Sequence, residues 1–139
     1  MGFLRYYNNK RLWLIGFIAC TAGIILVSTI PYTTDNNQQV ASGFRWDYIE
    51  HFFAYFAFGS LFILWRSDRK FGIRGQELVV LITVAVCFSL GTEYVQLFIP
   101  GRTFNIIDII YNLAGVLVSV LFVYMYLIRY YIRRKYKAY

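Results

Sequence analysis

The sequence predicts an all-α polytopic membrane protein, a bundle of four transmembrane helices. Three observations predict it. Four apolar runs, each close to the roughly 20 residues a helix needs to cross a bilayer, divide the 139-residue chain. Hydrophobic residues make up 59% and charged residues only 15%, against about 45–50% and about 25% in soluble domains. The positive charge is gathered in blocks beside the apolar runs, the pattern of anchoring at a membrane surface.

The first run is 12–30. It carries no charge and stops before Pro31. The loop 31–46 that follows is polar, with Asn36-Asn37-Gln38-Gln39 at its centre, and is expected outside the membrane. The second run is 47–65. The third, 78–99, is closed by Pro100-Gly101. The fourth, 106–128, leads into a basic tail, 129–139. Runs of this length are too continuous for strands. A bilayer offers backbone groups no partner outside the segment, so each run must be helical. No repeat or linker interrupts the chain, which is expected to form a single domain over 1–139.

Lys and Arg set the expected orientation. All of the 14 except Arg45 and Arg102 fall in the N-terminal arm, the second loop or the tail. The positive-inside rule therefore puts both termini in the cytoplasm, in a multi-pass plasma-membrane protein. The same clustering argues against a nucleic-acid partner for the net charge of +7. Cys20 and Cys87 lie inside apolar runs and read as packing residues. The run continues well past Cys20, so an uncleaved anchor is expected there, and Tyr6 breaks the myristoylation pattern that Gly2 would begin.

The topology gathers polar residues from three helices at one end of the bundle, the outer face in this orientation. Asp47 and His51 share a face near the start of the second helix. Glu93 and Gln96 share one near the end of the third, and Asp108 and Asn112 one at the start of the fourth, continued by Gly115 and Ser119. Arg102 lies in the short loop between the last two helices. Glu93 is the most telling, because a charge at the centre of a membrane helix costs about 2.5–3.5 kcal/mol and calls for a partner. Arg102 and His51 are the expected partners. The start of two helices adds positive dipole ends, which favour an anion.

Each residue also has a plainer reading. Asp47 and Asp108 sit in first turns, where a carboxylate complements the dipole, and Asn105 with Asp108 fits an N-cap and its third position. His51 could be a packed interfacial residue, and Arg102 could snorkel to headgroups. Asn112 and Gly115 could serve close helix approach. A metal would draw on Asp47, His51, Glu93 and Asp108. No HExxH or comparable spacing supports it, and neither metal nor cofactor is expected. A Ser-His-Asp triad would need Ser42 or Ser89, candidates by proximity alone.

At these residues the chain resembles the VanZ family of bacterial membrane proteins. One block is Asp47-Tyr48-Ile49-Glu50-His51 with Tyr55 and Gly59. The more specific block is Glu93-Tyr94-Val95-Gln96, Pro100-Gly101-Arg102, Asp108, Asn112 and Gly115. The resemblance runs from about Asp47 to Ser119. Three positions depart from the family pattern: Tyr48 where a lysine is frequent, Ser119 where a second glycine is, and Asn105 where an acid is. The family takes its name from a determinant of teicoplanin resistance, which implies a role at the bacterial cell envelope without supplying a reaction.

The leading expectation is an outer-face pocket lined by Asp47, His51, Glu93, Gln96, Arg102, Asp108 and Asn112. It would recognise an anionic membrane lipid or a lipid-linked envelope precursor, with an effect on teicoplanin susceptibility. Three other readings fit the same residues. One is a membrane enzyme using His51 and Glu93 for acid–base or headgroup transfer chemistry. The others are a small transporter or lipid flippase and a structural scaffold. The oligomeric state is left open.

Overall fold

In the computed structural model, residues 10–31, 45–67 and 73–136 are described, with side chains as far as Tyr126 and at Arg129. Four helices account for them: α1 Lys10–Thr29, α2 Trp46–Arg66, α3 Gly75–Gln96 and α4 Ile106–Tyr136. All four are long and apolar enough to cross a membrane. Much of loop 31–46, Ser42 within it, and the basic residues Arg5, Arg69, Lys70 and Lys137 lie outside the described residues.

Helix ends follow local chemistry. α1 stops at Thr29, two residues before Pro31, because the residue preceding a proline is pushed out of the helical region. α3 ends at Gln96, three residues before the expected Ile99. Its last turn tightens: Leu97, Phe98 and Ile99 donate to the carbonyls of Tyr94, Val95 and Gln96, three residues back. The chain then reverses. Arg102 N–H donates to the Ile99 carbonyl at 3.1 Å, with Pro100 and Gly101 at the corners and Gly101 at φ 78°. That conformation at the third position of a type II turn requires glycine. α4 runs eight residues past the expected boundary at 128. At 31 residues it is about 46 Å long, more than the roughly 30 Å hydrocarbon core, so its basic end emerges from the membrane as helix.

α2 is the central helix, packed on α4 and on α1. Two small residues let α2 and α4 approach. A Cβ on Gly115 would strike the Phe52 carbonyl oxygen and lie 2.9 Å from Phe56 N. A Cβ on Gly59 would strike Ser119. Ser119 stands where a glycine is frequent, and Gly59 opposite supplies the room. Tyr55, Phe58, Phe62, Ile63, Leu81, Ala85, Val116 and Val123 fill the interior. Phe17 of α1 closes it against Phe58 and Trp65, with ring centroids 4.8 and 5.8 Å away. Ile15, Leu26, Val79, Leu90, Leu121 and Phe122 point outward, exposed. In water this would be a liability; against acyl chains it is the expected surface.

Side chains clamp both ends. Arg66, closing α2, grips Glu77 in the first turn of α3 with two hydrogen bonds of 2.7 and 2.5 Å. At the opposite end Tyr48 stacks on Tyr111 at 5.0 Å, joining the starts of α2 and α4. The helices therefore run up and down in sequence.

Candidate functional site

The site is built around the start of α4. Asn105 is its N-cap: the side-chain Oδ1 accepts the Ile107 N–H at 3.0 Å. In an ordinary capping box the third helical residue, here Asp108, would accept the N–H of the cap. Here a carboxylate from another helix does so. Glu93 Oε2 on α3 accepts Asn105 N–H at 3.1 Å. Asn105 Nδ2 donates to Asp108 Oδ1 at 2.9 Å. One asparagine thus holds one oxygen of each of two buried carboxylates, Glu93 at 0% and Asp108 at 3% exposure. Asp108 sits in the first turn beside its cap, as the plainer reading expects, with Oδ1 on the Asn105 side chain; its Oδ2 is turned to His51, 3.7 Å from Nε2.

His51 is oriented from the other side. Its Nδ1 lies 3.1 Å from Asn112 Oδ1. Asn112 Nδ2 donates to Ser89 Oγ at 2.8 Å, which turns Oδ1 toward the imidazole. Oδ1 can only accept, so Nδ1 carries a proton and Nε2 faces the carboxylates. Asn112 and Ser89 are both fully buried. Ser89 therefore reaches His51 only through an amide, and it does not form the nucleophile of a triad. One donor atom each from His51, Glu93 and Asp108 lies within 4.8 Å of the other two. Glu93 Oε1 and Gln96 Nε2 are buried without a hydrogen-bond partner among the described residues.

Arg102 does something the sequence did not suggest. Its Nε donates to the Ile30 carbonyl at 3.2 Å and an Nη to the Val27 carbonyl at 3.0 Å. It caps the C-terminal end of α1, where free carbonyls and the negative dipole end favour a cation. Glu93, whose expected partners are Arg102 and His51, takes a hydrogen bond from the Asn105 backbone. Arg45 pairs with Asp47 and lies over the Tyr48 ring at 5.6 Å. A positive charge so returns beside the position where the family pattern has lysine.

A cavity of about 410 Å³ opens between α1 and α2 beside this cluster. α1 contributes Cys20, Gly23, Ile24, Val27 and Ser28; α2 contributes Asp47, Glu50, His51, Ala54 and Tyr55; Arg102 closes one end. Both sets follow the spacing i, i+3, i+4, i+7, i+8, one face of each helix. The α1 wall is nearly apolar. The α2 wall is polar through Asp47, Glu50 and His51, then apolar through Ala54 and the Tyr55 ring.

The seven expected site residues therefore divide. Asp47, His51 and Arg102 line the cleft. Glu93, Asp108 and Asn112 stand behind His51, and Gln96 is buried one turn beyond Glu93. His51 belongs to both groups. The expectation missed the α1 wall and Glu50. The shared helical spacing was their signal, but α1 has no polar side chain at the cleft except Ser28, and so drew no attention.

The family described as VanZ/LLP1 matches residues 23–129, from the α1 wall of the cleft to the end of the apolar part of α4. The chain belongs to the VanZ/LLP1 family. A protein of Schizosaccharomyces pombe, described as uncharacterized, is 35% identical over 80 residues, 58% of this chain. The aligned part is 48% of that relative, so the chain spans about half its length. With a relative in a yeast, VanZ-like sequence does not by itself mark a bacterial source. No solved structure matches the chain.

Proposed function

We propose that this VanZ-like membrane protein binds an amphiphile with an anionic headgroup, a membrane lipid or a lipid-linked envelope precursor, in the cleft between α1 and α2. The observation that carries the reading is the composition of the cleft walls. An acyl or prenyl chain would lie along Cys20, Gly23, Ile24 and Ala54, and the headgroup would meet Arg102, His51 and the start of α2. Binding sites of this kind are mostly apolar, with a few polar groups that fix orientation. Asp47 and Glu50 oppose an anion, but Asp47 is already paired with Arg45. In the orientation expected from the basic residues, the headgroup sits at the outer leaflet of the plasma membrane. Sequestering an envelope precursor there would alter susceptibility to glycopeptides such as teicoplanin.

The test is binding in nanodiscs. A short-chain phosphatidic acid should bind more tightly than the matched phosphatidylcholine. Arg102→Ala should weaken phosphatidic acid by about 10-fold or more, the loss of a charged hydrogen bond, while Arg102→Lys keeps part of the affinity. Equal affinity for both lipids, unchanged in Arg102→Ala, would refute the anion assignment.

A second reading is a membrane enzyme. His51 held by Asn112, with Nε2 beside Asp108, has the arrangement of an acid–base pair. Turnover of a phospholipid headgroup, lost in His51→Ala, would establish it; stable binding of an intact lipid would count against it.

A further inference from the structure

We propose that His51, Glu93 and Asp108 form a binding site for a divalent transition-metal ion of the zinc type, held by one imidazole nitrogen and two carboxylate oxygens. The three residues come from α2, α3 and α4, and one donor atom of each lies within 4.8 Å of the other two. Around a four-coordinate zinc, bonds of about 2.0–2.2 Å separate neighbouring ligand atoms by about 3.3–3.6 Å. The His51 Nε2 to Asp108 Oδ2 separation of 3.7 Å is already close to that. It is also too long for a good hydrogen bond, so the pair is placed for an ion between its atoms rather than for a direct contact.

The surrounding shell supports the same assignment. Metal-binding histidines give their second ring N–H to an acceptor that fixes ring and tautomer. Asn112 Oδ1 does this at Nδ1, and Ser89 fixes the amide in turn. Each carboxylate has one oxygen held by Asn105 and the other left over. Asp108 keeps Oδ2 toward His51, and Glu93 keeps Oε1, buried and without a hydrogen-bond partner among the described residues. A fully buried carboxylate oxygen with no partner is costly. A cation at this point satisfies it. Two carboxylates and a neutral imidazole balance a dication in full.

Three protein ligands leave a fourth position open, as in zinc sites that bind an exchangeable group. His51 also lines the cleft, so the ion would stand beside the proposed headgroup position. The metal site does not rest on the lipid reading, and either can fail alone.

The experiment uses the full-length, tag-free protein in detergent, stripped with EDTA. Zn²⁺ is added, excess is removed by desalting, and bound metal is counted by mass spectrometry beside a calorimetric titration. One Zn²⁺ per chain is expected. Glu93→Gln and Asp108→Asn should each weaken binding by at least about 10-fold, and Asn112→Ala, acting through His51, by about 10-fold to 100-fold. Cys20→Ser, a thiol at the cleft, should leave stoichiometry and affinity unchanged. Zn²⁺ should also raise the Tm of wild type and not that of Asp108→Asn. Absence of tight zinc binding would overturn the proposal. So would equal binding by Asp108→Asn that elutes as a monodisperse species, or loss of binding in Cys20→Ser.

Discussion

Gly115→Ala tests how the bundle holds the site together. The added methyl would run into the Phe52 carbonyl oxygen and lie 2.9 Å from Phe56 N and 3.2 Å from the Phe52 carbonyl carbon. All these atoms are backbone, so no rotamer change relieves the contact. Ordinary contact begins at 3.4 Å, and restoring it requires α2 and α4 to separate by on the order of 1 Å. Overpacking of this kind costs about 1–3 kcal/mol. The same separation stretches the 3.1 Å His51–Asn112 contact, one turn away, beyond hydrogen-bonding range, for about 1 kcal/mol more. The total is about 2–4 kcal/mol. Reversible unfolding in mixed micelles, with denaturing detergent as titrant, measures it. Gly91→Ala is the control, since nothing lies within 4 Å of a Cβ there; it should be neutral or stabilising by up to about 1 kcal/mol. If Gly115→Ala also falls within about 0.5 kcal/mol of wild type, the close crossing is not what places His51.

Further substitutions separate architecture from function. Glu93→Ala removes the acceptor for the Asn105 N–H and leaves a cavity, and should cost about 2–4 kcal/mol in the same unfolding assay. Glu93→Gln keeps an acceptor of the same shape and should cost less than about 1.5 kcal/mol; equal losses in the two would show that the charge, not the acceptor, holds the α3–α4 turn. Gly59→Ala should destabilise by about 1–3 kcal/mol through Ser119. Adding Ser119→Gly should recover more than half of that in a double-mutant cycle, and simple additivity would contradict the contact.

The fold was legible because its cause is local. Length and apolarity of four runs required four helices, and Pro31 and Pro100-Gly101 marked two of the ends. The boundary at Ile99 was misplaced because Leu97, Phe98 and Ile99 are as apolar as the helix before them; the tightened last turn answers to the proline and glycine beyond. The gathering of His51, Glu93, Asp108 and Asn112 was legible from topology. The partners within it were not. Asp108 and Arg102 had local reasons to act as a cap and a snorkelling cation. Which oxygen meets which donor depends on helix rotation and on Asn105, whose bonds reach α3 as well as its own helix. Ligands drawn from three helices also leave no spacing for a motif search. The cleft was missed because α1 offers it small and aliphatic side chains.

The most direct measurement of the central claim is native mass spectrometry of the protein released from lipid nanodiscs, comparing wild type with Gly23→Phe. Gly23 lines the cleft, and nothing lies within 4 Å of a Cβ placed there, so a side chain at this position starts into open space. The account predicts that wild type carries one bound anionic lipid and that Gly23→Phe carries none, with an unchanged Tm. Equal lipid occupancy in the two proteins would contradict it.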